Sequence, residues 1–325
     1  MRKVLSVMLL VVLCLGCLYP AAAEEEAVDV VAILVSATST VTSDCAAGMQ
    51  AYADENNVNL TVMYYENNIS TYITMIENAV ASGADAIIVQ NTSTEDAIDA
   101  LTAAAAKEDL VVCCYDVEVP IDYDYCFTAD NYQLGRAVGE MAADWANEVL
   151  VANGKDVICG IGDYSVSPIA HARYEGICDA LTEGCPEAQI VMTAEMAFPL
   201  DGIEAGENFL QAYPDMNVVC GINDQSVCGV YETFIAAGKK DDTVGMFSID
   251  GIAEALYNIY KQDIYGGCVD QDQATVGMQM VQYCTELVRG TEGAAEREKV
   301  QYFPRIKVTA ENVEAYMDKF QDLIK

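Results

Sequence analysis

From Val28 onward, short runs of β-branched and apolar residues alternate with longer stretches whose apolar positions recur every three or four residues. Such alternation is the mark of βαβ units built on a mainly parallel sheet. The pattern predicts strands over 28–35, 60–65, 86–89 and 110–115, with helices over 44–56, 71–82 and 95–107 between them. A short strand at 125–127 and a long helix at 132–150 follow, and then the pattern starts again. The second series has strands at 156–160, 189–195, 218–221 and 243–249, and helices at 168–182, 202–212, 226–237 and 252–261.

The two series also match in what ends their strands. The third strand runs out at Gln90-Asn91 in one half and at Asn223-Asp224 in the other, and the fourth at Asp116 and at Asp250. Open parallel sheets bind ligands beyond the carboxyl ends of their strands. If the halves face each other, amides and carboxylates from both converge on one inter-domain cleft, the preferred place for a small-molecule site. The chain crosses between halves near 125–150, and the tail makes further crossings near 270–272 and 301–308, which together form a multi-strand hinge. The polar stretch 290–298 reads as a surface loop.

A length of 325 residues suits two such domains rather than one core. Ahead of them, Arg2 and Lys3, the apolar run 4–18 and Ala21-Ala22-Ala23 make an export signal, removed with residues 1–23. A competing reading takes Leu15-Gly16-Cys17 as a lipobox that leaves Cys17 as a lipidated N-terminus. Beyond the signal, no apolar stretch is long enough to span a bilayer. The formal net charge of −35, more negative still without Arg2 and Lys3, repels phosphate backbones and argues against nucleic acid as a partner. Thirteen cysteines suggest an oxidised scaffold, but eleven, an odd number, remain past the signal. Several sit in apolar strand-like runs, among them Cys113, Cys114, Cys159 and Cys220, where thiols behave as small hydrophobes. The expectation is mostly free thiols, with a Cys178–Cys185 or Cys220–Cys228 bridge left open. No C-x-x-C occurs and His171 is the single histidine, so no zinc set of usual spacing can form, and neither metal nor cofactor is expected.

Five segments, in order, resemble the type I periplasmic sugar-binding proteins, in particular the ribose-binding branch: TADNYQLGR at 128–136, HARYEG at 171–176, GINDQSVCGV at 221–230, FSIDG at 247–251 and VDQDQATVG at 269–277. The resemblance covers nearly the whole mature chain. It implies an α/β fold of two Rossmann-like lobes with parallel sheets joined by a multi-strand hinge, one lobe comprising 28–130 plus 272–301 and the other 131–271 plus 302–325. It implies a monomeric clamp that closes on a sugar and delivers it to an ABC transporter permease or a sensor. Position by position, the ligand groups it implies are Ser36 and Asp116 on the first lobe and Arg173, Asn223, Asp250 and Gln271 on the second lobe or hinge. Tyr164 and Phe198 stand as apolar contacts, and Gln90, Asn91 and Asp224 are secondary candidates from their strand-end places. These residue types suit a polyol: a carboxylate accepts from two adjacent hydroxyls, Arg donates along a planar fork, and amides do both.

The sequence departs from the family pattern twice. The loop after the first strand reads Ala37-Thr38-Ser39-Thr40-Val41-Thr42-Ser43, without the stacking aromatics of the family, and the strand-four Asp-Arg pair has become Asp116-Val117. The ligand therefore need not be ribose: another pentose or hexose, a polyol, a furanose or a non-sugar remains open. Plainer readings stand beside these. Asp116 and Asp250 occupy turns where Asp is common, Asn91 and Asp224 can cap helices, Trp145 suits core packing, and His171 pairs with Glu175 four residues on. Arg173 lies early in a helix, where a cation opposes the dipole and needs a ligand or carboxylate to compensate. A nucleophile elbow, Walker loop, HExxH and second histidine are all missing, so the reading is a binder rather than an enzyme.

Overall fold

A computed structural model describes residues 26–91 and 97–324; the export segment 1–23, Cys17 and the first residues of the helix expected from 95 lie outside the described residues. Two six-stranded sheets organise the chain. The first contains β1 (Val28–Leu34), β2 (Val58–Tyr64), β3 (Ala86–Gln90), β4 (Val111–Asp116), β5 (Tyr125–Thr128) and the late β11 (Val300–Tyr302), in the order β11-β5-β4-β3-β1-β2. The second contains β6 (Val157–Asp163), β7 (Ala188–Glu195), β8 (Val218–Cys220), β9 (Gly245–Asp250), β10 (Tyr265–Asp270) and β12 (Ile306–Thr309), in the order β12-β10-β9-β8-β6-β7. All pairings are parallel except β10 with β12. The internal repeat is therefore one of topology: each half is a doubly wound sheet whose strand order reverses at its first strand, β1 or β6.

Helices cover both faces of each sheet. In the first half these are α1 (Thr40–Glu55), α2 (Ile69–Ala81) and α3 (Ile98–Ala105). Next come α4 (Asn131–Val149), α5 (Pro168–Gly184), α6 (Pro199–Ala212), α7 (Asp224–Ala236), α8 (Ala253–Tyr260), α9 (Gln273–Val288) and the short α10 (Met317–Phe320). Two buried clusters flank each sheet, which is why β3 is apolar without alternation until its final Gln90 and every one of its residues is buried. Adjacent cysteines divide between faces: Cys113 belongs to one cluster and Cys114 to the other. All eleven cysteines of the described residues are free, ten of them buried, so neither bridge left open by the sequence forms.

Helix starts are set by caps that periodicity does not see. Ser39 Oγ accepts from Thr42 N at 3.4 Å and begins α1 four residues ahead of the expected Asp44. Likewise α6 begins at Pro199, where Asp201 accepts from the Phe198 amide at 3.0 Å. Trp145 on α4 packs edge-on against Phe247, the centroids 5.9 Å apart.

Between the sheets the chain passes after β5, after β10 and between β11 and β12. The expected division at 301 falls inside β11, whose Tyr302 still pairs with Thr128 of the first sheet. Helix pairs approach closely at glycines. A Cβ on Gly135 of α4 would stand 1.9 Å from the Arg173 carbonyl oxygen on α5, and one on Gly48 of α1 would stand 1.8 Å from that of Ala274 on α9. The first contact fixes the backbone of Arg173 against α4.

Candidate functional site

At the carboxyl ends of β4 and β9 the backbone turns into conformations that L residues rarely adopt: φ is 75° at Asp116 and 128° at Asp250. Such geometry costs about 1–3 kcal/mol per residue and persists only where the surroundings enforce it. Both turns carry a carboxylate to the edge of a sheet, and the two edges meet. The charge of Arg173, on the second lobe, acts on Asp116 of the first, and Asp116 acts in turn on Asp250.

Arg173 is held by three acceptors. Its Nε donates to Asn131 Oδ1 at 2.8 Å, and its Nη1 to the Ile222 carbonyl at 3.0 Å and to Asp250 Oδ1 at 3.5 Å. The side chains of Arg173 and Asp250 are 15% and 13% exposed. Gln271, on the crossing after β10, donates to the same Asp250 oxygen at 2.9 Å. On the first lobe, Gln90 Oε1 accepts from Val35 N at 3.0 Å, which leaves the amide nitrogen for its hydrogen bond to Asp116. The compensating carboxylate that a cation early in α5 requires is thus Asp250.

Burial raises the Asp116 carboxyl, while Arg173 and Gln90 pull it back down. Burial likewise pushes Asp250 up, to about 6, against the pull of Arg173 and Gln271 and with the push of Asp116. A carboxyl raised on folding binds more protons in the native state, so Asp250 opposes folding at pH 7. That cost is relieved as pH falls from about 6 towards 3.8. For a ligand whose hydroxyls donate to the ionised carboxylate the sign is opposite, and affinity should fall as pH drops below about 6, by up to about tenfold per unit. Calorimetry at pH 5.5 in buffers of different ionisation heat should show up to about three-quarters of a proton released per ligand bound; the same observed heat in every buffer would remove Asp250 from the binding equilibrium.

The remaining candidates fall into two groups. Ser36 lies at the mouth of the first lobe, where its Oγ donates to Glu66 Oε2 at 2.7 Å; Glu66 also accepts from Ala37 N at 3.0 Å. Tyr164 is partly buried, and its ring meets that of Phe198 edge-on at 6.3 Å, with Phe198 57% exposed. Asn223 is half-buried and heavily engaged: its Oδ1 accepts from Ser226 N at 3.0 Å, capping α7, and its Nδ2 donates to the Ala197 carbonyl at 2.8 Å. Asn91 differs from the expectation of a cleft-facing amide. It is fully buried, its Oδ1 accepts from Tyr72, and its Nδ2 donates to the Val89 and Val117 carbonyls at 3.3 Å. Asp224 is fully buried as well. His171 pairs less with Glu175, at 3.9 Å, than with Asp163, whose Oδ2 lies 2.9 Å from its Nδ1, and that contact raises the imidazole above its ordinary value.

Two site residues escape the sequence reading. Glu66 stands just past the end of β2, a strand-end place like those of Asp116 and Asp250, so the same rule would have found it. Asn131, which orients the Arg173 guanidinium, begins α4 after the Asp130 cap; its one signal was its place inside the segment TADNYQLGR. Among the described residues no group of three or more His, Cys, Asp or Glu side chains is arranged to hold a metal ion. None of their helices is long and apolar enough to cross a membrane.

Comparison with known proteins bears on the family and the fold. A family model described as periplasmic binding protein domain matches residues 30–292. A protein of Rhizobium meliloti named as rhizopine-binding is 27% identical over 277 residues, covering 84% of this chain and 87% of its own. The ribose import binding protein of Bacillus subtilis is 22% identical over 245 residues, 75% of this chain and 76% of its own. Among solved structures, a periplasmic solute binding protein of an ABC transporter from Actinobacillus succinogenes, with bound D-allose, superposes with a TM-score of 0.75 at 19% identity, covering 89% of this chain and all of that one.

Proposed function

This chain belongs to the periplasmic binding protein family, and from that premise we propose that it captures a small polar ligand, a monosaccharide or polyol, between its lobes and passes it to an ABC permease. The observation that carries this reading is the meeting of Asp116 from one lobe with Arg173, Asp250 and Gln271 from the other. Those groups offer two carboxylate acceptors, a planar guanidinium and an amide, near enough for the charge of Arg173 to act on both carboxylates. A ligand with hydroxyls on adjacent carbons satisfies all of them at once. Ser36, Gln90 and Asn223 line the rim in this reading, and Tyr164 with the exposed ring of Phe198 supplies the apolar face that the loop over 37–43 lacks.

Contacts to both lobes favour the closed form, so binding and closure are one equilibrium. Nothing in the set is poised to break a bond: the carboxylates are engaged by donors, and recognition rather than turnover is the proposed role. Export by residues 1–23, with Cys17 as the alternative lipid-anchored start, places the clamp outside the cytoplasm. Sensing through a kinase uses the same clamp, and neighbouring permease and ATPase genes would favour import.

A thermal-shift screen of the exported protein against pentoses, hexoses, polyols, nucleosides and amino acids tests the reading. A ligand at 100 times its Kd adds about 2.7 kcal/mol, which raises Tm by several degrees for a chain of this size. A sugar or polyol hit that also lowers the radius of gyration is the expected result. Hits confined to nucleosides or amino acids overturn the ligand class, and silence across the panel overturns the function.

A further inference from the structure

We propose that Asp224, and its counterpart Asn91 in the first lobe, are positioning residues that hold Asp250 and Asp116 in their left-handed turns without touching ligand. This rests on the reading of those two aspartates as ligand groups. Asp224 opens α7, and no part of it reaches solvent. Its Oδ2 accepts from the amides of Gly251 and Ile252, the two residues after Asp250, at 2.7 and 2.9 Å. Its Oδ1 accepts from Ser248, two residues before Asp250, and Ser248 in turn meets the Tyr265 hydroxyl at 2.6 Å. One carboxylate thus grips the chain on both sides of the residue with φ of 128°.

Asn91 brackets Asp116 in the same manner. Its backbone N–H donates to the Tyr115 carbonyl at 3.2 Å, and its side-chain nitrogen donates to that of Val117 at 3.3 Å, the residues on either side of Asp116. Tyr72 fixes the remaining oxygen of the Asn91 amide. Each bracket follows the third strand of its half and acts on the end of the fourth. The difference in type follows from what is gripped: two amide donors in the second lobe call for a carboxylate, and a carbonyl acceptor in the first calls for an amide. A buried carboxylate held by backbone N–H groups is also stable against rotation, because any other rotamer leaves those donors unpaired.

The experiment compares the full exported protein with Asp224→Ala and Asp224→Asn by amide hydrogen exchange at Gly251 and Ile252 and by carbon-13 NMR titration of the Asp250 carboxyl, all without ligand. Arg173, Gln271 and Asp116 face the Asp250 carboxyl in every variant, and both variants remove the Asp224 charge that acts with it, so a difference in midpoint between the two variants reports a change in position. In Asp224→Ala, exchange at both amides should speed up at least about 100-fold and the Asp250 midpoint should fall below that of Asp224→Asn as the side chain relaxes to solvent. Asp224→Asn, whose Oδ1 can still accept from both amides while its nitrogen donates to Ser248, should keep exchange near the wild type. Unchanged exchange in Asp224→Ala, with a midpoint equal to that of Asp224→Asn, overturns the proposal. Should that variant fail to fold, Asn91→Ala with the Asp116 carboxyl as reporter decides in the other lobe by the same criteria, read against the wild type. Titration of the wild type with the pentoses, hexoses and polyols of the thermal-shift panel is a separate arm: if none of them binds, the ligand reading fails while the ligand-free data still decide the positioning role.

Discussion

Arg173→Ala should weaken ligand binding at least about 100-fold, a larger loss than any other single truncation in the cleft. The guanidinium donates to Asp250, to the Ile222 carbonyl and to Asn131, and it is the cation that pulls down both Asp116 and Asp250. Removing one partner of a buried hydrogen-bonded charge pair costs about 2–5 kcal/mol, because the other charge is left behind. At about 1.4 kcal/mol per factor of ten, the middle of that range exceeds two orders of magnitude. The variant should also show Asp250 titrating above about 6, since its main opposing charge is gone. Arg173→Lys keeps the charge without the fork and should fall between the two. Calorimetry with the ligand found in the screen is the measurement, and an Arg173→Ala affinity within fivefold of wild type would remove this residue from the site.

The second large effect comes from a residue without a side chain. Gly135→Ala places a methyl 1.9 Å from the Arg173 carbonyl oxygen, well inside contact distance, with backbone on both sides. Helices α4 and α5 must therefore part. Overpacking of this kind costs about 1–3 kcal/mol and sometimes more, and a loss of 3 kcal/mol lowers Tm by roughly 5 °C in a chain of this size. Because α5 carries Arg173, the substitution should also weaken binding. An unchanged melting temperature would mean that the two helices separate without cost.

Much of this was legible in the sequence, for a physical reason. Hydrophobic periodicity reports which face of an element is covered, and here both faces of both sheets are covered, so strands read as unbroken apolar runs and helices as stripes. Matching polar residues at strand ends then marked Asp116 and Asp250, because a strand that ends at a sheet's carboxyl edge has little choice of where to go next. The helix dipole argument flagged Arg173 and demanded the carboxylate that Asp250 supplies.

What periodicity does not carry is side-chain direction beyond the strand. Asn91 and Asn223 sit where the strand-end rule puts them, yet one is turned wholly into its lobe and the other spends most of its amide on a helix cap. A local rule also misassigned the main partner of His171. Spacing of four favoured Glu175, whereas the loop between β6 and α5 turns the helix so that His171 lies 2.9 Å from Asp163 at the strand end. Such contacts are decided by how the chain turns between elements, which hydrophobic periodicity does not report.

The three crossings between lobes bear on how this protein is made. The first sheet is incomplete until β11 has been added, and α9, which lies against α1, begins only at Gln273. The second sheet likewise waits for β12 at Ile306–Thr309. One buried cluster of each lobe, that with Val276 and Phe303 in the first and that with Val308 and Phe320 in the second, is incomplete until the last fifty or so residues are present, whereas the cluster on the other face of each sheet draws only on buried residues before 270. The last strand and helix to be made thus close one face of a sheet whose other face is already covered, and a chain lacking its C-terminal fifty or so residues would keep one finished and one open face in each lobe.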